Sequence, residues 1–99
     1  MEASVIIASH NEGDLLSQTI ASCVEACSDL DYEIVVADDS STDGSVEAVS
    51  RRFPGISIFR NDERRGASPT KALGAENARG DVLVFLDAHT KPSVALSGA

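Results

Sequence analysis

The sequence has few cysteines, and their spacing excludes two common uses of this residue. Cys23 and Cys27 are the only thiols, and no second pair completes a zinc-type ligand pattern. Their separation of four residues suits one face of a helix, which is poor geometry for a disulfide. We therefore expect both thiols to be reduced and packed in an apolar interior, which favours a cytoplasmic location.

The sequence also lacks a long apolar run. No stretch approaches the ~20 apolar residues that a membrane-spanning helix needs. Residues 1–20 do not show the basic and then apolar pattern of a signal peptide. Membrane association is therefore not indicated by this segment.

Basic residues are scarce, since eight Lys and Arg stand against sixteen Asp and Glu, for a formal charge of −8. A surface this negative repels nucleic-acid backbones and anionic lipid, so we expect no nucleic-acid partner. A nucleotide ligand is still possible because a bound cation can neutralise a diphosphate locally. A solvated acidic surface would explain the same excess of acid.

Two familiar phosphate-binding motifs are absent as well. Gly13 is the only glycine near the end of the first apolar run, so the G-x-G-x-x-G turn of dinucleotide dehydrogenases does not occur there. No G-x-x-x-x-G-K-[ST] sequence occurs either, which argues against a P-loop nucleotidase.

Short apolar runs alternate with helical patterns along the 99 residues, a length that fits one domain. Strands are predicted over 4–8, 33–37, 56–59 and 82–86, the last being the most uniformly apolar. Buried strands joined by helices predict an α/β fold with about four parallel strands and three helices.

Side chains at the helix ends predict where the first and third helices begin. Asp14 is placed to cap the first helix, and Ser68 to cap the third, with Pro69 at its first position. The third helix is expected to continue to about Arg79, where Gly80 would end it.

Polar clusters follow three of the predicted strands: Ser9 to Glu12, Asp38-Asp39, and Asp87-Ala88-His89. Ligands of parallel α/β sheets bind at the carboxyl ends of the strands, so these clusters predict a binding crevice. Loops at that edge are polar in many proteins, and a purely structural interpretation stays open.

Adjacent residues of a strand point to opposite faces, so Asp38 and Asp39 should have different surroundings. One can brace the following loop while the other faces the crevice. A carboxylate is an acceptor, which suits the N–H edge of uracil, thymine or guanine and not the bare ring nitrogen of cytosine. Two loop-capping aspartates are the alternative interpretation.

Asp87 and His89 lie two residues apart and should share one side of an extended segment. A carboxylate and an imidazole together suit a divalent ion such as manganese. Such an ion would hold a diphosphate and stabilise the charge that builds on it as a sugar leaves.

Four motifs give the chain a close resemblance to family 2 glycosyltransferases over residues 3 to about 92. They are Ser4-Val5-Ile6-Ile7 with His10-Asn11-Glu12, the stretch from Glu33 to Gly44, Ala78-Arg79-Gly80-Asp81, and Phe85-Leu86-Asp87-Ala88-His89. The resemblance implies a GT-A fold, whose nucleotide-binding half is Rossmann-like, and a nucleotide-activated sugar as donor. A UDP-sugar is the first expectation, with TDP- or GDP-sugars as further possibilities.

The resemblance also implies a role for each motif residue. Residues from Ala8 through Ser9 to His10 would lie against the base, Glu12 and Asp38 would shape the pocket, and Asp39 would hydrogen-bond the base. Asp87 would contact the ribose and a metal ion, Mn²⁺ or Mg²⁺, and His89 would ligate that ion directly. Lys71 stands where the family usually has an arginine near the base and diphosphate, and it keeps the charge without the two-pronged donor. His10 and the Asp-x-His ending are similar to those of polypeptide N-acetylgalactosaminyltransferases.

Family members continue for another hundred residues or more, into a region that supplies the acceptor cleft and, in inverting members, a catalytic base. We therefore expect residues 1–92 to be the nucleotide-sugar-binding half of a GT-A domain and 93–99 to be a disordered tail. No catalytic residue is expected within the chain, and alone it should lack transferase activity for hexosyl or N-acetylhexosaminyl groups. The alternatives are a non-catalytic nucleotide-binding module and a response-regulator receiver domain.

Overall fold

The fold is known from a computed structural model that describes residues 1–88. His89 and the predicted tail 93–99 lie outside those residues. Strands and helices alternate in the order β1 Ala3–Ser9, α1 Asp14–Ala26, β2 Tyr32–Asp39, α2 Ser45–Arg52, β3 Ser57–Asn61, α3 Ala67–Glu76 and β4 Val82–Asp87. The predicted α/β fold of four strands and three helices is confirmed.

The four strands form one sheet in the order β3-β2-β1-β4, and every neighbouring pair is parallel. Receiver domains have the order 2-1-3-4-5, in which the third strand lies beside the first. Here β3 lies outside β2, so the receiver alternative is excluded. All four carboxyl ends lie along the same edge of the sheet.

The central strands β1 and β2 form the core of the domain, as their apolar runs predicted. Ile6, Ile7, Val35 and Val36 are fully buried. From α1, Leu16, Ile20 and Cys23 pack against this sheet. No helix within residues 1–88 is long and apolar enough to cross a bilayer.

Both cysteines are buried and neither is in a disulfide, which confirms the prediction of packed, reduced thiols. Burial, with a smaller contribution from Cys27, raises the pKa of the Cys23 thiol to about 12. Burial also raises the pKa of Cys27. The reactive thiolate form is therefore disfavoured at neutral pH.

Strand β4 is apolar but much less buried than its sequence suggests. It hydrogen-bonds to β1, and within residues 1–88 it is an edge strand. The side chains of Val82, Leu83 and Phe85 are 53%, 40% and 45% exposed. An apolar run indicates that a strand tends to be buried. It does not indicate which part of the chain covers the strand.

Glycines, rather than polar side chains, precede all three helices. Gly13 precedes α1 with a φ of 55°, Gly44 precedes α2 with a φ of 83°, and Gly66 precedes α3 with a φ of 94°. Asp14 and Ser68 therefore lie inside the first turns, so the prediction that they are caps was wrong, as was Pro69 at the first helical position. All three loops need a left-handed residue just before the helix, and glycine adopts that conformation most readily.

The end of α3 also differs from the prediction, because the helix stops at Glu76 rather than near Arg79. Gly80 does not terminate a helix. It passes so close to β1 that an added Cβ would lie 2.4 Å from the carbonyl carbon of Ala3 and 2.5 Å from the nitrogen of Ser4. Its N–H donates to Ser4 Oγ over 2.7 Å.

A buried polar cluster anchors this crossing at the amino edge of the sheet. Glu33 accepts hydrogen bonds from Ser4 Oγ and the Arg79 backbone N–H, each at 2.6 Å, and from the Arg79 guanidinium at 3.2 Å. Burial opposes the charged form, but these donors outweigh it and lower the pKa of Glu33. The start of β4 is thereby attached to β1 and β2.

We expect Gly80→Ala to lower the free energy of unfolding by about 3 kcal/mol, because the new methyl group would overlap backbone atoms that cannot move aside. Gly55→Ala is the matched control, since nothing lies within 4 Å of a Cβ there. Urea denaturation at pH 7 measures both. Equal stability of the two variants would contradict the close approach.

Candidate functional site

An open cleft of about 280 Å³ lies at the carboxyl edge of the sheet, close to the ~300–1,000 Å³ of small-molecule sites. Six of its lining residues are predicted nucleotide-sugar contacts, and they come from the ends of three strands. The lining consists of Ala8, Ser9, His10, Glu12, Asp39, Arg64, Gly66, Ala67, Thr70 and Asp87.

The strand register brings these residues together. Ala8 of β1 pairs with Ala37 of β2 on one side and with Asp87 of β4 on the other. Asp39 extends one residue past the end of that pairing and lies opposite Asn61 of β3. Parallel strands in this register expose three polar ends to the same space.

Asp39 has the most extensive set of hydrogen bonds in the cleft. Its Oδ1 accepts from the Arg65 backbone N–H at 2.8 Å and from Asn61 Nδ2 at 3.0 Å. Its Oδ2 accepts from the Gly66 backbone N–H at 3.0 Å and from Arg64 Nε at 3.1 Å. The carboxylate therefore fixes the loop between β3 and α3.

These donors control the ionisation of Asp39. Burial opposes the charged form, but the hydrogen bonds from Arg65, Asn61, Gly66 and Arg64 outweigh it and hold the pKa of Asp39 well below its ordinary range. Both oxygens already accept two hydrogen bonds, so a ligand N–H would have to share them. Arg64 is the donor best placed to give way, because its side chain is 61% exposed.

Asp38 lies outside the cleft and is completely buried. Its Oδ2 accepts from the Ser41 backbone N–H at 2.9 Å, its Oδ1 accepts from the Ser41 hydroxyl, and Arg60 Nε lies 3.4 Å away. Asp38 thus braces the loop after β2 while Asp39 faces the cleft, which is the division that strand alternation predicted. Any effect of Asp38 on a ligand would be exerted through that loop.

Lys71, predicted to lie near the base and diphosphate, and Asp87, predicted to contact the ribose and a metal ion, are neighbours in the structure. Lys71 Nζ lies 3.7 Å from Asp87 Oδ1, and both side chains are partly exposed. Lys71 is not itself among the lining residues. A positive charge therefore already stands beside the carboxylate that was predicted to ligate a metal ion.

The predicted metal ligands are only partly covered by the structure. Asp87 lies in the cleft, and His89 is outside the described residues. Within residues 1–88 no group of three or more His, Cys, Asp or Glu side chains is arranged to hold a metal ion. The described part of the chain thus contributes one carboxylate of the predicted kind.

Four lining residues were not predicted from the sequence, and all lie in the loop before α3 or in its first turn: Arg64, Gly66, Ala67 and Thr70. Thr70 is held in place because its hydroxyl donates to the Gly66 carbonyl at 2.6 Å and accepts from Asn61 Nδ2 at 3.0 Å. The sequence Arg64-Arg65-Gly66 could have indicated that this loop takes part in binding. No periodic pattern indicated that this loop would fold back onto Asp39.

Residues 4–94 match the model of the family described as Glycosyl transferase family 2. The chain belongs to this family. It is 41% identical over 97 residues to polypeptide N-acetylgalactosaminyltransferase 3 of Drosophila melanogaster, covering 91% of this chain and 14% of that protein. It is 36% identical over 91 residues to a dolichol-phosphate mannosyltransferase of Pyrococcus furiosus, covering 89% and 26% respectively. Family 2 membership thus extends over most of the chain, which spans a small part of each relative.

Solved structures of glycosyltransferases share the fold. The mannosyltransferase PcManGT from Pyrobaculum calidifontis, in complex with GDP-Man and Mn²⁺, aligns with a TM-score of 0.79 and 28% identity over 93% of this chain and 29% of that one. S. aureus TarS 1-349 in complex with UDP-GlcNAc aligns with a TM-score of 0.79 and 24% identity, over 90% and 27%. The GT-A architecture predicted for this chain is confirmed.

We expect Asp39→Asn to lower the free energy of unfolding by about 2 kcal/mol at pH 7, because its amide would face two donors and lose the charge. The pKa of Asp39 is lowered from an ordinary value of about 3.9. Its stabilisation is therefore complete well above that value and decreases progressively as the pH falls from that value towards and through the lower folded pKa. The difference in the free energy of unfolding between Asp39→Asn and wild type should therefore become smaller in strongly acidic solution.

Asp62→Asn, in the same loop and on an exposed side chain, is the matched control and should change stability by less than about 0.5 kcal/mol. Urea denaturation at pH 7 and pH 3 measures all three proteins. If the difference in the free energy of unfolding between wild type and Asp39→Asn is the same at both pH values, the role assigned to the Asp39 charge is contradicted.

Proposed function

We propose that the cleft binds the nucleotide diphosphate of an activated sugar, as the donor-binding half (residues 1–92) of a family 2 glycosyltransferase. The observation that carries this proposal is the meeting of six expected contact residues, from three strand ends, in one cleft. Membership of the family supports the same assignment. The reaction served is transfer of the sugar to an acceptor.

Recognition of the base is assigned to Ala8, Ser9, His10 and Asp39. The His10 ring is held beside Asp39, because His10 Nδ1 lies 2.6 Å from the Asp39 carbonyl oxygen. A ring held in place in this way supports our assignment, in which the imidazole of His10 contacts one face of the base. The Asp39 carboxylate would accept a hydrogen bond from an N–H on the edge of the base. Arg64 would move, so that it and the base share this carboxylate.

The diphosphate is assigned to Asp87, Lys71 and His89. Asp87 and His89 would hold a divalent ion, Mn²⁺ or Mg²⁺, which neutralises the charge that develops on the diphosphate as the sugar leaves. The carboxylate and imidazole pair has the chemistry that such ions accept. Lys71 Nζ, 3.7 Å from Asp87 Oδ1, adds a positive charge beside that carboxylate.

We favour a UDP-sugar as the donor, with TDP- and GDP-sugars as the other candidates. The neighbouring solved structures carry UDP-GlcNAc in one case and GDP-Man in another, which supports the class of ligand. Cytosine presents a bare acceptor nitrogen where uracil presents an N–H, so CDP is the matched control ligand for Asp39. A cytoplasmic location stays a prediction that rests on the two reduced thiols.

We expect calorimetry to detect UDP binding in the presence of Mn²⁺ and none after chelation with EDTA. CDP should bind at least about fivefold more weakly, since the bare ring nitrogen of cytosine would face the Asp39 carboxylate without a donor, and one unpaired buried acceptor costs about 1–3 kcal/mol. Absence of UDP binding with Mn²⁺ present would contradict the proposal.

Asp87→Asn should weaken metal-dependent UDP binding by at least about tenfold, because it removes a charged oxygen ligand. Asp81→Asn is the matched control, since Asp81 is exposed and precedes the other end of β4. Turnover of a UDP-sugar by the 99-residue chain in the presence of an acceptor would contradict the expectation that this chain alone lacks transferase activity. Equal affinities of the two variants would remove Asp87 from the site.

A further inference from the structure

Asn11 connects the loop after β1 to the loop after β2. Its backbone N–H donates to Ser41 Oγ at 2.8 Å. Its side-chain Oδ1 accepts from the backbone N–H of Thr42 at 2.7 Å and of Asp43 at 3.2 Å. These two donors fix the orientation of the amide, because a flipped amide would point its NH₂ group at them.

The other end of the Asn11 amide faces His10. Asn11 Nδ2 lies 3.3 Å from His10 Nε2, and since Nδ2 is a donor, Nε2 must accept with its lone pair. On the opposite side of the ring, Nδ1 lies 2.6 Å from the Asp39 carbonyl oxygen, which only accepts, so Nδ1 carries the proton. Both contacts require the same neutral tautomer.

The His10 ring lines a cleft that also contains several charged side chains. The cleft that His10 lines holds three carboxylates and one guanidinium, and a further carboxylate lies in the loop that contacts Asn11: Glu12, Asp39, Asp87, Arg64 and Asp43. A proton on His10 Nε2 would meet the NH₂ group of Asn11 donor to donor. The position of the Asn11 amide therefore leaves no room for a proton on Nε2.

The backbone of Asn11 is also specialised. Its φ of 48° lies in the left-handed region, where asparagine is among the more tolerated residues other than glycine. This conformation directs the side chain to the loop after β2 while the backbone N–H reaches Ser41. One residue thus controls both the loop and the imidazole.

We propose that Asn11 is a positioning residue that holds His10 as the neutral Nδ1–H tautomer, so that an uncharged ring faces the nucleotide base. The tautomer is a property of the chain itself, whereas its use in base binding rests on the proposed function. Asn11 was not among the predicted contacts and does not line the cleft.

Two variants separate the roles of Asn11. Asn11→Asp keeps an oxygen for the Thr42 and Asp43 N–H groups but places a second acceptor against His10 Nε2, which then needs a proton. Asn11→Gly tolerates the left-handed backbone and removes the side chain. Asn77→Asp, at an exposed amide that follows α3, is the matched control.

The readout is the ¹⁵N spectrum of the imidazoles in the 99-residue chain at pH 7, with His10 assigned by His10→Gln because the chain has two histidines. We expect a proton on Nδ1 and none on Nε2 in wild type and Asn77→Asp. In Asn11→Asp we expect a proton on Nε2 facing the new carboxylate, and in Asn11→Gly we expect the proton to stay on Nδ1, because the Asp39 carbonyl oxygen still accepts it. A wild-type ring protonated on Nε2, or an unchanged Asn11→Asp spectrum, overturns the proposal.

If both Asn11 variants fail to fold, a pH titration of the wild-type chain decides. The amide proton shifts of Thr42 and Asp43 should then follow protonation of His10, because its Nε2–H would displace the Asn11 amide. Amide shifts that do not follow the imidazole overturn the proposal.

A second arm measures UDP binding in the presence of Mn²⁺. Asn11→Asp and Asn11→Gly should each bind UDP about tenfold more weakly, because each loses the hydrogen bond from Asn11 Nδ2 that positions His10. Asn77→Asp should bind UDP as the wild type does. Wild-type affinity in both Asn11 variants overturns the use of the tautomer in base binding. No binding by wild type contradicts the proposed function alone, and the spectra still decide the tautomer.

Discussion

The ionised Asp39 carboxylate is the interaction on which the carboxyl edge of this domain depends. Four donors from β3 and the loop before α3 converge on its two oxygens. A loop with two adjacent arginines and a left-handed glycine has little intrinsic preference for one shape, and the charge of Asp39 supplies the preference. The same oxygens face the cleft, so the group that orders the loop is also the group expected to meet a ligand.

The two ends of the sheet are stabilised by the same kind of chemistry. At the amino edge, buried Glu33 receives hydrogen bonds from Ser4 and Arg79, and Gly80 packs directly on the β1 backbone. At the carboxyl edge, Asp39 and buried Asp38 each hold a loop. A carboxylate removed from water is tolerated only when donors replace its hydration. The alignment of the strand ends is thus maintained by anchors at both ends, as well as by the apolar side chains between them.

The fold and the opposite orientations of Asp38 and Asp39 were predictable because both follow from periodicity. Features that depend on contacts between residues distant in the chain were not predictable. Asp14 and Ser68 have the composition of helix caps, yet loop geometry gave that position to glycine. The exposure of β4 could not be inferred from an apolar run, since burial is a property of the neighbours. Arg64 entered the site only because its loop folds back onto Asp39. The resemblance to a family supplied the residue roles that periodicity could not.

The placement of Cys23 and Cys27 has a consequence for how the domain can be observed. Both thiols lie between α1 and the sheet, and burial keeps them protonated. An alkylating reagent therefore reaches them only when α1 separates from the strands. The rate of alkylation in the absence of denaturant would report the frequency of that opening, so the chain carries an intrinsic probe of its own local unfolding.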